Sequence, residues 1–524
     1  MKTNIRRRVP TASLLASVSL AVLLSACALA PDPYTKDEFQ AKGVQDRTAM
    51  FKDVEPITKP LTLTDAIVRV LRYNLDQRAK MMEHALAMGQ LDLDKYDLLP
   101  KATIDGGFLG RTDHGTVRTR DAVTGLPSLA NPSFSEDTTH FTADLTGSWN
   151  ILDFGVSWFN ARQNADRSLM AQEHRRKTVA SLMQEVRSAY WRALAAQRLD
   201  APVRDAIRTT ESGLADAEKV EDEKLHNPVE SLRFQKILLE NLRQLEGIQQ
   251  DLVVARSELA ALINVPPGSD FTLAIPGDAD MVPPSWSMPV EAMEEQAFTN
   301  NPDLREQVYQ TRISVDETRK AILRLLPGIS FSAGRNYDSN SFLVDRAWAE
   351  ASAKISYNLF NIISAPAQIN YAETSEQVVE TKRLALRMAV LAQVHVSRNQ
   401  FDGAVQQFIR SDRLFQVETK LAEATAKRQE SDAQSVLERI SSRTSAIAAE
   451  LRRYQTFAQA ETALGRMQAT IGIDPIPAGV DSNDGKAVSL AVAERLEKLD
   501  HGVIPEPVSE PASQAAPSGE AGAP

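Results

Sequence analysis

The hydrophobic and polar positions of this chain change period several times, and they do so twice in the same order. From Leu63 to Pro100 the pattern is amphipathic, passes Asn74-Leu75-Asp76-Gln77-Arg78, and stops at Leu98-Leu99-Pro100. An offset of 227 residues returns the outline: Val290, then Asn301-Pro302-Asp303-Leu304-Arg305, then Leu325-Leu326-Pro327. Six positions are identical: Asn74/Asn301, Asp76/Asp303, Arg78/Arg305, Leu98/Leu325, Leu99/Leu326 and Pro100/Pro327. Apolar character is kept at Leu71/Phe298, Met81/Val308, Leu86/Ile313 and Met88/Val315. A constant offset, with the same elements after each copy, reads as an internal duplication. The first copy is predicted to be a helix capped by Thr62 or Thr64 and running to about Leu99, because Pro100 pushes the residue before it out of α geometry. The second copy predicts a helix over 289–326 that ends at Pro327.

Past each proline the period becomes two. Ala102 to Phe108 tends to alternate, a loop rich in Gly, Pro, Asn and Ser runs from Gly110 to Ser135, and Phe141 to Trp149 alternates strictly. This predicts a β-hairpin over about 101–149, one face suited to lipid or core and the other to water. Trp149 stands at a strand end, where interfacial aromatics are found in outer-membrane barrels. The second hairpin, about 328–357, pairs Ile329 to Gly334 with Trp348 to Tyr357, and Ala349, Ala351, Ala353, Ile355 and Tyr357 share one face. Trp149-Asn150-Ile151-Leu152-Asp153 matches Tyr357-Asn358-Leu359-Phe360-Asn361 at an offset of 208. The offset falls from 227 to 208 across the hairpin, so the second hairpin loop is 19 residues shorter.

Long helices follow each hairpin. The first runs to about Leu225 with a predicted break at Pro202; His226-Asn227-Pro228 is a second breaker, and helix resumes from Val229 to Ile263. Gly155 to Leu225 alone would span roughly 105 Å at about 1.5 Å per residue, longer than a globular core and suggestive of a tube. Leu238, Leu245, Leu252 and Leu259 fall at intervals of seven, the spacing of a coiled-coil seam. In the second half a helix runs to about Glu430, a polar break covers Ser431 to Ser435, and a last helix reaches Thr470. Ile440, Ile447 and Tyr454 continue the sevens, and Gly472-Ile473 matches Asn264-Val265 at the offset of 208.

The N-terminus is a targeting segment. Lys2, Arg6, Arg7 and Arg8 precede an apolar run from Leu14 to Leu24. Leu24-Ser25-Ala26-Cys27 resembles the lipobox of bacterial lipoproteins, which implies cleavage before Cys27 and a covalent lipid on it. The rival reading is ordinary secretion with a cut after Ala28-Leu29-Ala30, a poor site because Pro31 follows. Ala28 after the cysteine suggests sorting to the outer membrane. The organisation is then a signal peptide (1–26), an acylated extended arm (27–60), a first repeat (61–265), a linker (266–288), a second repeat (289–475) and a tail (476–524). Five prolines fall between residues 266 and 287. A short helix is predicted over about 486–499. From about 503 the tail is Pro, Ala, Ser, Glu and Gly, which cannot build a core and predicts disorder.

Composition narrows the chemistry. The 69 acidic side chains outnumber the 59 basic ones, so no basic surface argues for nucleic acid. Cys27 is the sole cysteine, which leaves no disulfide framework and no multi-cysteine metal site. The sequence holds no P-loop, dinucleotide-binding, zincin or nucleophile-elbow motif, and its seven histidines are scattered without ligand spacing. The reading is therefore not an enzyme, with no cofactor. Asn74 and Asp76, near a helix start, suit capping and packing better than acid–base work. After the signal peptide no stretch reaches the ~20 apolar residues of a membrane-spanning helix, so a mature protein that crosses a membrane must do so as a closed β-barrel.

The fold class is mainly α with a small β part: a duplicated helix–strand–strand–helix–helix unit. Two hairpins give four strands, against a practical minimum of about eight for closure, and three chains would supply twelve. Over residues 61–475 this resembles the TolC-type outer membrane efflux factors. The resemblance rests on the duplication, the Asn-x-Asp before a long helix, Leu-Leu-Pro before strand one, the Asn-hydrophobic exit from strand two and the heptad hairpins. It implies a homotrimer with a twelve-stranded barrel in the outer membrane and a long periplasmic α-helical barrel. It implies a passive exit duct, for efflux or type I secretion, that docks on a periplasmic adaptor and an inner-membrane pump of ABC or RND type.

In that family, acidic residues at the second copy's tip ring a closed periplasmic entrance. Glu438 falls at the first such position; Ser441 occupies the second and departs from the pattern. Glu230 pairs with Glu438 at the offset of 208, so both are gate candidates. The plainer reading of each is a solvated glutamate favoured by a helix dipole. Asn227, Pro228, Val229, Asp432, Ser435 and Val436 are candidates for adaptor contact, though plain helix–helix turns use the same residue types. Pro100 and Pro327 are expected at helix-to-strand junctions of equivalent height. The alternative function is a periplasmic coiled-coil adaptor or scaffold lipoprotein, which would normally present one helical hairpin rather than two joined to strand pairs.

Overall fold

The computed structural model describes residues 32–118, 120, 123–127, 132–222, 228–275, 281–427, 433–474, 490–495 and 498. Cys27 and the tail beyond 498 lie outside them. The chain divides into two compact units, 1–54 and 55–524.

In the first unit the arm is not extended throughout, which corrects the reading of 27–60. Helix α1, Lys36–Met50, is fully exposed along its length. It stands on local signals alone. Thr35 and Glu38 form a reciprocal capping box, with the Thr35 N–H donating to Glu38 Oε2 at 2.7 Å, and Asp37 and Glu38 complement the dipole of the first turn.

The second unit opens with α2, Leu63–Tyr73, and α3, Leu75–Tyr96. Thr62, not Thr64, is the cap, again with a capping box, to Asp65. The single helix expected to reach Leu99 is thus two, split at Asn74, and the second copy is split likewise at Asn301 into α6, Val290–Asn300, and α7, Pro302–Leu323. The strands are β1, Lys101–Gly110, and β4, Thr139–Asn150, in the first hairpin, and β5, Gly328–Asp338, and β6, Ala347–Ser356, in the second. The long first loop holds a small ribbon of its own, β2, Gly115–Val117, and β3, Ser133–Glu136. The remaining helices are α4, Ile151–Asp222; α5, Pro228–Leu262; α8, Phe360–Ala426; and α9, Ala433–Thr470.

Pro202 does not break α4, which runs unbroken for 72 residues, about 108 Å at 1.5 Å each. A proline inside a helix costs about 3 kcal/mol, but Leu199, Val203 and Ala206 around it are buried, each fully buried aliphatic side chain contributing roughly 1.5–3 kcal/mol. Tertiary packing outweighs the local penalty.

The core repeats with the sequence. One cluster is built from α2, α4, α5 and part of α9, joined by Phe408 of α8, the other from α6, α7, α8 and the end of α9. Ala66 and Val70 of α2 are buried as are Met293 and Ala297 of α6, at the offset of 227; Leu182 and Val186 of α4 are buried as are Val390 and Val394 of α8, at 208. The four leucines spaced by seven in α5, and Ile440, Ile447 and Tyr454 of α9, are all buried, so the seam is real packing. The linker is also packed. Leu61 pairs in parallel with Leu273, and the Tyr190 hydroxyl of α4 donates within 3.1 Å of both the Leu61 and Ala274 carbonyls. Gln197 adds two bonds to the Leu273 backbone. Burial pushes the Tyr190 phenol up to about 12.

Candidate functional site

The four long strands form one antiparallel sheet in the order β1-β4-β5-β6. Antiparallel partners point the same way, so register assigns the faces. One face carries Ile104 and Phe108 of β1, Phe141, Leu145 and Trp149 of β4, Phe331 and Tyr337 of β5, and Ile355 of β6, all exposed. Aromatics stand at both ends of this face: Trp149 opposite Phe331 at the helix end, Phe108 opposite Phe141 at the hairpin end. The eight residue steps from Phe141 to Trp149 span about 26 Å at 3.3 Å each, close to the apolar band of an outer-membrane barrel. The other face is polar and acidic, with Asp105 directly opposite Asp144 and Glu350 farther across the sheet. The Asn336 amide links strands on that side: turned to satisfy its neighbours, it donates to Asp144 Oδ1 at 3.3 Å and accepts from Trp348 Nε1 at 3.1 Å.

At the hairpin end the two loops are tied together. The Ser341 N–H and hydroxyl donate to Asp137 at 2.6 and 2.8 Å, and the Asp137 N–H donates to Asn340 Oδ1 at 3.2 Å. The Ser341 backbone N–H, then its hydroxyl, hold the Asp137 carboxyl below its ordinary value. At the helix end Pro100 directly precedes β1 and Pro327 directly precedes β5, each after the same short turn. Asn150 and Asn358 leave the sheet by capping the next helix, Asn150 Oδ1 accepting from Leu152 N–H at 2.9 Å and Asn358 Oδ1 from Phe360 N–H at 3.1 Å.

Asn74 and Asn301 do more than cap. Asn74 Oδ1 accepts from the Asp76 and Gln77 N–H groups, and its amide donates to the Leu262 carbonyl at 3.3 Å. Asn301 Oδ1 accepts from Leu304 N–H, and its amide donates to the Thr470 carbonyl at 2.8 Å. Leu262 and Thr470 are themselves the last residues of α5 and α9, so each asparagine clamps a helix start to a helix end of its own half. Beyond Thr470, Gly472 turns at φ 75° against the Asn300–Asn301 backbone, where a Cβ would stand 2.2 Å from the Asn300 carbonyl carbon. A charged knot surrounds this point. Arg176 reaches Asp474 at 2.8 Å, Glu173 pairs with both Arg176 and Arg305, and Lys177 reaches Asp303 at 2.6 Å. Farther along α4 from the sheet, Arg187 and Glu461 form a buried pair at 2.8 Å between α4 and α9. None of these partners was visible in the sequence, because periodicity reports faces and not which helix meets which.

At the far end, Pro228, Val229 and Glu230 open α5 and are exposed. Asn227 and Asp432 lie outside the described residues, as does the side chain of Ser435. Val436 is spent on the chain's own packing, partly buried with Phe234 and Leu437 against Ala217, Leu238 and Ile440. Glu438, in the second turn of α9, is exposed. Ser441 accepts from the Asn241 amide at 3.1 Å, which ties α9 to α5. Arg443 reaches Asp205 of α4 at 2.6 Å, and Arg443 first, with Arg208, holds that carboxyl below its ordinary value. Among the described residues no cluster of three or more His, Cys, Asp or Glu could hold a metal, and no helix is long and apolar enough to cross a membrane.

No family model matches the chain, and no curated protein matches it in sequence. Solved structures do match. OprN, an outer-membrane channel, superposes with a TM-score of 0.59 at 16% identity, over 85% of this chain and 99% of its own. CusC, studied for its folding and transmembrane channel formation, gives 0.58 at 15%, over 78% and 92%. VceC, an outer membrane protein of Vibrio cholerae, gives 0.56 at 12%, over 78% and 96%. With its tandem helix–hairpin–helix–helix units in the same arrangement, the chain has the TolC-type fold of these outer-membrane channels.

Proposed function

We propose that this chain is the outer-membrane exit duct of a tripartite export system, passively conducting cargo that an inner-membrane pump delivers through a periplasmic adaptor. The observation that carries the reading is the open sheet. Its edge strands β1 and β6 are each 10 residues long and run in opposite directions, so β6 of one copy can pair antiparallel with β1 of the next. Long unpaired edges are a liability that closure removes. Three copies give twelve strands, with the aromatic-bounded face toward lipid and the acidic face lining the lumen. Met82 and Leu86 of α3 and Tyr371 and Met388 of α8, exposed in the single chain, would be covered by neighbouring copies. The lipid on Cys27 would add an anchor to the barrel. Glu438, and with it Glu230, would face the periplasmic entrance, with Pro228 and Val229 at the adaptor-facing tip.

The test is oligomeric state and conductance together. The full-length protein, crosslinked in detergent, should run as a heat-modifiable trimer and open ohmic channels in a planar bilayer. A stable monomer without channels would refute the duct. Acyl labelling that is unchanged in Cys27→Ala would refute the anchor alone.

A further inference from the structure

The apolar face of the sheet carries one charge. Arg335 of β5 is exposed on the same side as Phe331 and Tyr337. Its cross-strand partners are Leu145 and Ala349, and the next positions around it are Ala143, Gly147, Ala347 and Ala351. No strand places a carboxylate on this side; Asp105, Asp144, Asp338 and Glu350 all belong to the opposite face. The β1 edge that a second copy would bring beside β6 offers Ala102, Ile104, Gly106 and Phe108 here, again without an acid. Arg335 makes no ion pair or side-chain hydrogen bond among the described residues.

We infer that Arg335 is a binding site for a phosphate-bearing lipid headgroup in the membrane leaflet at the hairpin end. The inference rests on the barrel reading above, since only a lipid-facing sheet brings headgroups to this residue. Depth on β5 itself selects the leaflet. Tyr337, the aromatic toward the hairpin end, is the next residue on the face, about 6.6 Å along the strand, whereas Phe331 at the helix end is about twice as far. The small side chains around Arg335 leave its stem free to lie along the strand and carry the guanidinium to the level of Tyr337. There the planar fork matches two phosphate oxygens. A charge held near the interface is tolerated on a barrel's lipid face, while one left at mid-depth is penalised. Each trimer would hold three such contacts.

The full-length protein is reconstituted in phosphatidylcholine nanodiscs doped with diphosphoryl lipid A, or with the same glycolipid stripped of both phosphates, and retained lipid is counted by native mass spectrometry. Wild type should retain the phosphorylated lipid on the order of ten-fold better, as one charge-assisted contact provides. Arg335→Leu should bring the two lipids to parity, and Arg335→Lys should keep part of the preference. Insertion is scored separately as heat-modifiable trimer. Equal preference in wild type and Arg335→Leu, both inserted, would overturn the inference and leave the duct intact. Failure of wild type to insert would overturn the duct and this inference with it.

Discussion

Asn74 and Asn301 each use both ends of one amide, and the two ends can be separated. Asn301→Ala removes the cap and the clamp and should cost about 1–2 kcal/mol, the range for a lost N-cap plus an unpaired carbonyl. Asn301→Asp keeps the acceptor for Leu304 N–H but sets a carboxylate against the Thr470 carbonyl, so it should also destabilise, as thermal melts would show. If Asp is as good as Asn, the bond to Thr470 contributes nothing. At Gly472 both φ 75° and the Asn300 backbone exclude a side chain, so Gly472→Ala should be the more damaging change. Its counterpart Asn264, at φ 54°, already bears a side chain, and Asn264→Gly should be mild by the same assay.

At the scale of elements, legibility followed what periodicity can see. The leucine sevens of α5 and the alternation of β4 stood out because one face of each is uniform. The split at Asn74 was hidden because one non-helical residue, at φ −62° and ψ 128°, interrupts the helix without disturbing the apolar run on either side. A signal did exist in the second copy, where Pro302 follows Asn301 as a proline at the first helical position. Pro202 is the opposite case: local propensity predicts a break there, and the buried Leu199 and Val203 override it. α1 was missed because it has no apolar face at all. The tips were legible as breakers but not as contacts. Arg443 to Asp205 joins α9 to α4 over a separation of 238 residues, beyond any pattern. That link carries a pH expectation. Asp205 is held below its ordinary 3.8, so its contribution is present above that value and is lost as the pH falls below it through the folded value. The Arg443 guanidinium should be ordered, by relaxation of its Nε–H, from pH 7 to about 4.5 and loosen only below 3.8, while the buried packing keeps α4 and α9 together. Asp205→Asn should leave Arg443 loose already at neutral pH and flat across the range; a wild-type profile that matches it would deny the link any role.

The whole molecule turns on the sidedness of one sheet, and two adjacent residues separate the possibilities. Leu145 and Thr146 sit side by side near the middle of β4, Leu145 on the aromatic-bounded face and Thr146 on the acidic one. In a closed barrel Leu145→Lys puts a second cation on the lipid face directly beside Arg335, with no carboxylate on that side to pair it, which should cost on the order of 1–2 kcal/mol per chain and reduce the yield of inserted trimer. Thr146→Lys faces the lumen near Asp144, so insertion should hold while the added charges shift ion selectivity toward anions in a planar bilayer. A periplasmic adaptor or scaffold, with the sheet in water, predicts neither asymmetry: both lysines would be solvated and equally mild. If the two variants insert and conduct alike, the faces have been assigned wrongly or the sheet does not close. If only Leu145→Lys fails to insert and only Thr146→Lys changes selectivity, the four strands of each chain are a segment of a membrane barrel, and the helices that leave its lower end form the conduit feeding it.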